Sequence, residues 1–595
     1  MNSPPTKTPN FKFSAWGLDH WFVVCLLLIW TITIVVVNPS GDFPLMDDWV
    51  YGLVVRNILE TGQFRFISPA SSNLFTQAYW GALFCLPTGF SFLALRCSTI
   101  VLASMGITSL YSMIREINCP RKIAALASLL LIFNPYYLGL ATTFMTDVPF
   151  TALLIICFYF YVIALKRDSK GHLAAALAIG FLALGVRQYA LIFIAALCFG
   201  YLLKRGIRLS TLALATGTLS SAIAFQLLYQ YWLRSSGQSP DSDPVTSSYF
   251  KGIATLLRAA NLKDIISILI YIGAFTFPIL WIYLHKLLSR KPFRPTIPGL
   301  LIAGCAGISV VLLWTRFQLP LFENILTHYG IGPLTLRDHF LLGLNHPAIS
   351  PLGLRIWRLL SLGGAIGFLI LSVLLAQALF LSAKHYNPFL SFSSKRVAIA
   401  QVGNAAIPDE EPYPYWLIAT LAISIISYIL ILCIGHIFDR YILPLFPLSM
   451  ILACSLLGAG PIAGHGLSSS NLWNSRASMP VLISLMSFYV YFSMASSHDY
   501  LAWSRARWQA LHDVVVVKRI SPRLIDGGYE FNGWYLSDRN YESTPEKSYW
   551  WVDQDDYMIA SGLLKSYREI GRYAFQRWLP IENRPILVLR KTTID

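Results

Sequence analysis

Uncharged apolar runs of about 20 residues recur along this chain, and they narrow its possible folds more sharply than any single motif. Residues 21–37 (WFVVCLLLIWTITIVVV) form one such run and residues 297–315 (IPGLLIAGCAGISVVLLWT) another. Each is long enough to cross the roughly 30 Å hydrocarbon core of a bilayer. Hydrocarbon offers a backbone no water to bond, so each N–H and C=O must find its partner inside the segment, which makes these runs helices. Composition agrees: 55% of residues are hydrophobic and only 13% charged, whereas a soluble chain carries about a quarter charged residues. The expected class is an all-α polytopic membrane protein. The first run is read as a retained anchor, because it exceeds the roughly 7–15 residues of a signal-peptide core. No small-x-small cleavage site precedes Asp42 either.

Periodicity and length place spans near 20–38, 91–114, 122–140, 147–165, 172–186, 188–203, 210–232, 265–285, 297–315, 359–382, 414–435, 441–459 and 479–496, about 13 in all. Residues 77–90 (QAYWGALFCLPTGF) are short and contain Pro87-Thr88-Gly89, so they read as a helix lying in the interface. Charge supports that choice. With the N-terminus inside, the inner loops carry Arg115, Arg121 and Lys122, then Lys166, Arg167 and Lys170, then Lys204, Arg205 and Arg208. The intervening turns are nearly free of Lys and Arg, as the positive-inside rule requires. Counting 77–90 as a span would invert every one of these loops. The chain therefore divides into a membrane domain (1–496), with a first outer loop at 39–90, and a polar, Tyr- and Trp-rich outer tail (497–595). Three stretches of the tail, 550–561, 567–579 and 584–591, suggest strands, giving a small α/β extracytoplasmic domain.

The net charge of +16 follows from the inner loops and the tail, and no basic-aromatic motif points to nucleic acid. The nine cysteines lie mostly within spans, with none in the tail and no CxxC pair, so neither a disulfide framework nor a thiolate metal site is expected.

On this map the titratable groups nearest the membrane collect on one face. Asp47 and Asp48 follow the first span, Asp147 opens the fourth, and Arg187 and Arg440 occupy outer turns. Ionisable groups at membrane depth point to function. Each also has a plainer reading. Asp48 fits as the cap of a helix starting near Trp49, Asp147 with Pro149 fits a helix start, and the arginines fit as side chains snorkelling to headgroups.

Taken in order, these residues resemble the GT-C superfamily of integral-membrane glycosyltransferases, in the branch of glycosyltransferase family 39, the protein O-mannosyltransferases and the lipid A aminoarabinose transferase. The resemblance rests on Asp47, Asp48, Tyr51, Arg56, Gly62 and Phe64 in the first outer loop. It continues through Tyr79-Trp80, Arg96 at the second span, Asp147 at the fourth, and Arg440, Tyr441 and Pro444. It implies a GT-C-like fold with interfacial helices in the first outer loop, Asp47 and Asp48 as catalytic acids, and Tyr51, Arg56, Tyr79, Arg96, Asp147, Arg440 and Tyr441 as substrate-binding residues; Arg187 joins them as a candidate phosphate clamp by its charge and its place in an outer turn. One departure stands out. The lipid A branch has a Glu-Lys-Pro stretch whose lysine helps hold the lipid phosphate, and here Phe75-Thr76-Gln77 takes its place. Phosphate binding then falls to arginines, or the donor sits differently.

The chemistry suits these residue types independently. Moving a sugar off a polyprenyl phosphate needs a carboxylate to take the acceptor's proton and guanidinium groups for the departing phosphate. The leaving group is already a phosphate, so the paired acid of a glycosidase is unnecessary. The expected function is transfer of a monosaccharide from a polyprenyl-phosphate donor to a protein, glycolipid or envelope glycan. It would take place on the outer face of the cytoplasmic membrane, with Asp47 as general base. Membrane lipid is a partner and nucleic acid is not. No cofactor is required, although two acids could hold a divalent metal. The alternatives are a transporter or flippase of lipid-linked sugars, whose binding groups would gather at the midplane in paired repeats, and a polysaccharide polymerase or ligase.

Overall fold

The computed structural model describes residues 13–68, 70–238, 262–289, 318–322, 324–345, 349–385, 415–434, 437–458, 478–538, 540–542, 550–580 and 583–592. The expected span at 297–315 lies outside the described residues. Helices stand at the other twelve expected positions: α1 (Phe13–Val37), α4 (Phe92–Glu116), α5 with α6 (Arg121–Ile132 and Pro135–Ala141), α7 (Asp147–Arg167), α8 (Lys170–Val186), α9 (Ala190–Arg205), α10 (Leu209–Ser235), α11 (Leu262–Ser289), α13 (Pro351–His385), α14 (Tyr415–Leu432), α15 (Leu445–Gly458) and α16 (Ser478–His512). Among the described residues nine helices are long and apolar enough to cross a membrane, or ten if the bent α5–α6 pair is one span. That is fewer than 13 partly because α8 and α9 are short, at 17 and 16 residues. The fold is an α-helical polytopic membrane protein with a small sheet near its C-terminus.

Where one straight span was expected at 122–140, the chain bends by 59° between α5 and α6. The break has a local cause. Pro135 cannot donate to the preceding turn, and Asn134 caps the new helix by accepting from the backbone N–H groups of Tyr136 and Tyr137 at 3.0 and 3.2 Å. At the end of the bundle away from Asp47, Asp19 of α1 accepts from Tyr111, Arg115 and Arg121 at 2.8, 2.9 and 3.0 Å, tying α1 to α4 and α5. α11 and α13 cross closely where Gly273 meets Gly364 and Gly367, since a Cβ at any of the three would strike the opposite backbone. Such small-residue contacts replace the hydrophobic effect as the packing device inside lipid.

Two short helices occupy the loop between α1 and α4: α2 (Asp48–Thr61) and α3 (Phe75–Cys85). At 14 and 11 residues they reach about 21 and 17 Å, too short to span. Gly62 ends α2 in the left-handed conformation, with φ +73° and its N–H on Ile58 O, a cap that favours glycine. A short helix, α12 (Arg337–Phe340), and a two-stranded ribbon, β1 (Leu326–Thr327) with β2 (Gly330–Ile331), precede α13.

The 35-residue α16 runs without a break past residue 496, where the tail was expected to begin. Beyond it lie β3 (Ile525–Asp526), α17 (Tyr529–Leu536), β4 (Tyr557–Ala560), β5 (Tyr567–Gln576) and β6 (Asn583–Lys591). The sheet order is β3-β4-β6-β5, parallel between β3 and β4 and antiparallel elsewhere. This tail packs onto the loop that carries Asp47. Trp508 stacks on Phe43, Trp534 stacks on Phe90, and Trp551 meets Trp49 edge-on.

Candidate active site

Asp47 stands at the N-terminus of α2, with φ −81° and ψ 7°, and its side chain makes no capping bond. The carboxylate instead reaches two partners far away in sequence. Oδ2 accepts from Arg440 Nη2 at 3.0 Å, and Oδ1 accepts from Tyr529 Oη at 3.0 Å. A quarter of the Asp47 side chain stays exposed. Asp48, one step further along the helix, points about 100° away and is fully buried. Its Oδ1 accepts from the Phe144 N–H at 2.9 Å. Burial pushes the Asp48 carboxyl up to about 8, against the opposing pull of Arg96 and the Phe144 N–H. The two adjacent acids therefore occupy different environments: Asp47 is wet and paired to a cation, and Asp48 is dry.

Asp147 and Arg187 form a second, deeper pair. Thr146 holds the N-cap position of α7 and Asp147 is its first residue. Arg187 follows the last residue of α8 with extended backbone, φ −140°. Its Nη2 lies 2.9 Å from Asp147 Oδ1, with both side chains at most 4% exposed. Its Nε donates to Thr146 Oγ1 at 2.7 Å. Burial opposes the charge, but Asp147 and the surrounding phenols hold Arg187 above its usual value.

Tyr441 joins the two pairs. The guanidinium carbons of Arg187 and Arg440 lie 5.0 and 5.4 Å from its ring centroid, near enough for cation–π attraction. Arg440 sits in a 3-10 turn, Asp439–Ile442, just before α15. Asp439 anchors that turn by accepting from the backbone N–H groups of Ile325 and Leu326 at 2.9 and 2.8 Å. Tyr51, one turn after Asp47 on α2, is buried and feels both acids and both arginines. Burial first, and Asp47 second, push its phenol above the ordinary range.

Six of the ten residues singled out in the sequence thus converge: Asp47, Tyr51, Asp147, Arg187, Arg440 and Tyr441. Asp48 lies immediately behind them. The other three stand apart. Arg56 pairs with Glu60 at 2.7 Å, both side chains about half exposed. Tyr79 lines an aromatic cleft of about 690 Å³ with Phe64, Phe75 and Trp232. Arg96 is fully buried and donates to the carbonyls of Pro39, Gly41 and Phe43, stacking on the Phe43 ring at 4.7 Å. It shapes the loop that presents Asp47.

Tyr529 was not foreseen. It comes from the tail, and no spacing links it to the first loop. Among the described residues no three His, Cys, Asp or Glu side chains cluster closely enough to hold a metal ion.

Residues 75–232 match the family of dolichyl-phosphate-mannose-protein mannosyltransferases. No curated protein matches the chain in sequence. Among solved structures, ArnT from Cupriavidus metallidurans bound to undecaprenyl phosphate is 13% identical with a TM-score of 0.36, over 96% of this chain and 98% of that one. Its apo state gives the same identity and score over 97% and 98%. The arabinosyltransferase EmbB from Mycobacterium smegmatis is 14% identical with a TM-score of 0.32, over 85% of this chain and 44% of its own length. Over residues 75–232 the chain resembles the dolichyl-phosphate-mannose-protein mannosyltransferases, and it is built as a polytopic α-helical membrane protein.

Proposed function

We propose that this protein moves a monosaccharide from a polyprenyl phosphate to an acceptor on the extracytoplasmic face of the cytoplasmic membrane, with Asp47 as general base. One observation carries the reading: Asp47 and Arg440, 393 positions apart, meet at 3.0 Å in a partly open site beside the Arg187–Asp147 pair. A carboxylate and two guanidinium groups held together across such a distance match what the transfer demands.

In the proposed reaction the acceptor hydroxyl gives its proton to Asp47 as its oxygen bonds to the anomeric carbon. The bond from that carbon to the phosphate oxygen breaks, and the polyprenyl phosphate leaves with the electron pair. Arg440 and Arg187 neutralise the charge that grows on it, acting as fixed donors in a site with little competing water. Tyr51, held neutral, donates a further hydrogen bond. Asp147 keeps Arg187 oriented, and Asp48 is a neutral group supporting the loop at Phe144. One displacement inverts the anomeric configuration. The scheme uses no metal, although the open side of Asp47 could admit a divalent cation.

The likeness to a mannosyltransferase family over 75–232 and to ArnT, whose structure holds undecaprenyl phosphate, suggests the probe. Membranes containing the full-length protein and their native acceptors are incubated with tritium-labelled undecaprenyl phosphate mannose. Label should pass to non-lipid or glycolipid products at a rate that Asp47→Asn lowers about 100- to 10,000-fold. Transfer unaffected by Asp47→Asn would remove Asp47 from the base role.

A further inference from the structure

The tail reaches the proposed base through a single hydroxyl. Tyr529 Oη donates to Asp47 Oδ1 while Arg440 occupies Oδ2. A stiff framework delivers that phenol. The Tyr529 backbone N–H bonds to Thr335 O at 3.1 Å. The neighbouring Glu530 accepts from Met46 N, Thr335 Oγ1 and Arg507 Nη1 at 3.2, 2.6 and 2.7 Å. The ring lies among Trp49, Trp550 and Trp551, with centroids 5.9, 5.8 and 6.2 Å away. Trp551 itself has φ +62°, a left-handed backbone that bulky residues rarely adopt and that tends to collect at working sites. Burial and the charge of Asp47 keep the Tyr529 phenol protonated, so it acts as a donor and not as a competing base.

A carboxylate has about four lone-pair directions. With one direction filled on each oxygen, the Asp47 plane is held against rotation, and its exposed side keeps lone pairs for an incoming hydroxyl. We infer that Tyr529 is a positioning residue for the transfer, fixing Asp47 through its hydroxyl, so that the C-terminal tail completes the active site. This rests on Asp47 being the base.

The test is Tyr529→Phe, which keeps the ring among its three tryptophans and removes only the hydroxyl. With the labelled undecaprenyl phosphate mannose assay, kcat should fall about 10- to 150-fold, the value of one hydrogen bond to a charged group. KM for the donor should stay unchanged, and the thermal midpoint of the purified protein should fall no further than the loss of one hydrogen bond allows, a split that loss of packing would not give. A wild-type kcat or a raised kcat in Tyr529→Phe would overturn the inference. Asp47→Asn in parallel separates the two claims. If Asp47→Asn is inactive and Tyr529→Phe is normal, the base stands and the positioning role falls. If Asp47→Asn is fully active, the base reading falls first and this inference with it.

Discussion

Neighbouring aspartates that share one dipeptide meet opposite conditions here. Asp47 faces Arg440 and Tyr529 with part of its surface wet, whereas Asp48 is sealed behind it with its carboxyl raised to about 8 by burial. The linkage has a definite sign. The native state keeps a proton that an unfolded chain, with an ordinary value of 3.8, releases. Raising the pH from about 4 to about 8 therefore favours unfolding through this group, and below that window the penalty is absent. Asp48→Asn keeps an oxygen for the Phe144 N–H and cannot ionise. Its thermal midpoint in detergent should vary less between pH 5 and pH 8 than that of the wild type, with the larger gain at pH 8. An unchanged pH slope would mean that Asp48 does not titrate in this range. In sequence both acids stood as catalytic candidates with Asp47 as the base, but nothing local says which of two consecutive side chains turns inward. Arg96 is a similar case: the family resemblance placed it among the substrate-binding residues, and in the structure its guanidinium donates to the carbonyls of Pro39, Gly41 and Phe43.

At the scale of elements, the regular pieces were legible because they follow local rules. The spans announced themselves by apolar length; β4 and β5 fall within two of the three tail stretches that suggested strands, and β6 begins one residue before the third. Contacts between elements were not legible. The bend at Pro135, the glycine crossing of α11 with α13, and the docking of α17 on α2 depend on which surfaces meet. The last of these is sensitive to one atom. A Cβ on Gly533 would enter the Trp49 indole, and Trp49 is fully buried beside Asp48. Gly533→Ala should cost about 1–3 kcal/mol through overpacking and lift α17 away from the first loop. Limited proteolysis should then cut the tail faster, with transfer reduced alongside. Equal cutting rates would show that the interface can absorb a methyl group.

Across the whole molecule, a buried network ties the tail to the membrane body. Arg507 on α16, 1% exposed, bonds Glu530 Oε2 at 2.7 Å and the Gly527 carbonyl at 3.0 and 2.7 Å. Arg507→Ala leaves Glu530 buried without its cation, a loss of about 3–5 kcal/mol. The thermal midpoint should drop and transfer should fall with it, because Tyr529 is the next residue along; a wild-type midpoint would mean that the tail is held some other way. α16 has its own consequence. Its 35 residues extend roughly 52 Å, some 20 Å more than the hydrocarbon core, and its far turns run alongside Asn38 and Phe43. The tail is thus mounted on a rigid post, which carries Tyr529 to the level of Asp47 beyond the end of the first span.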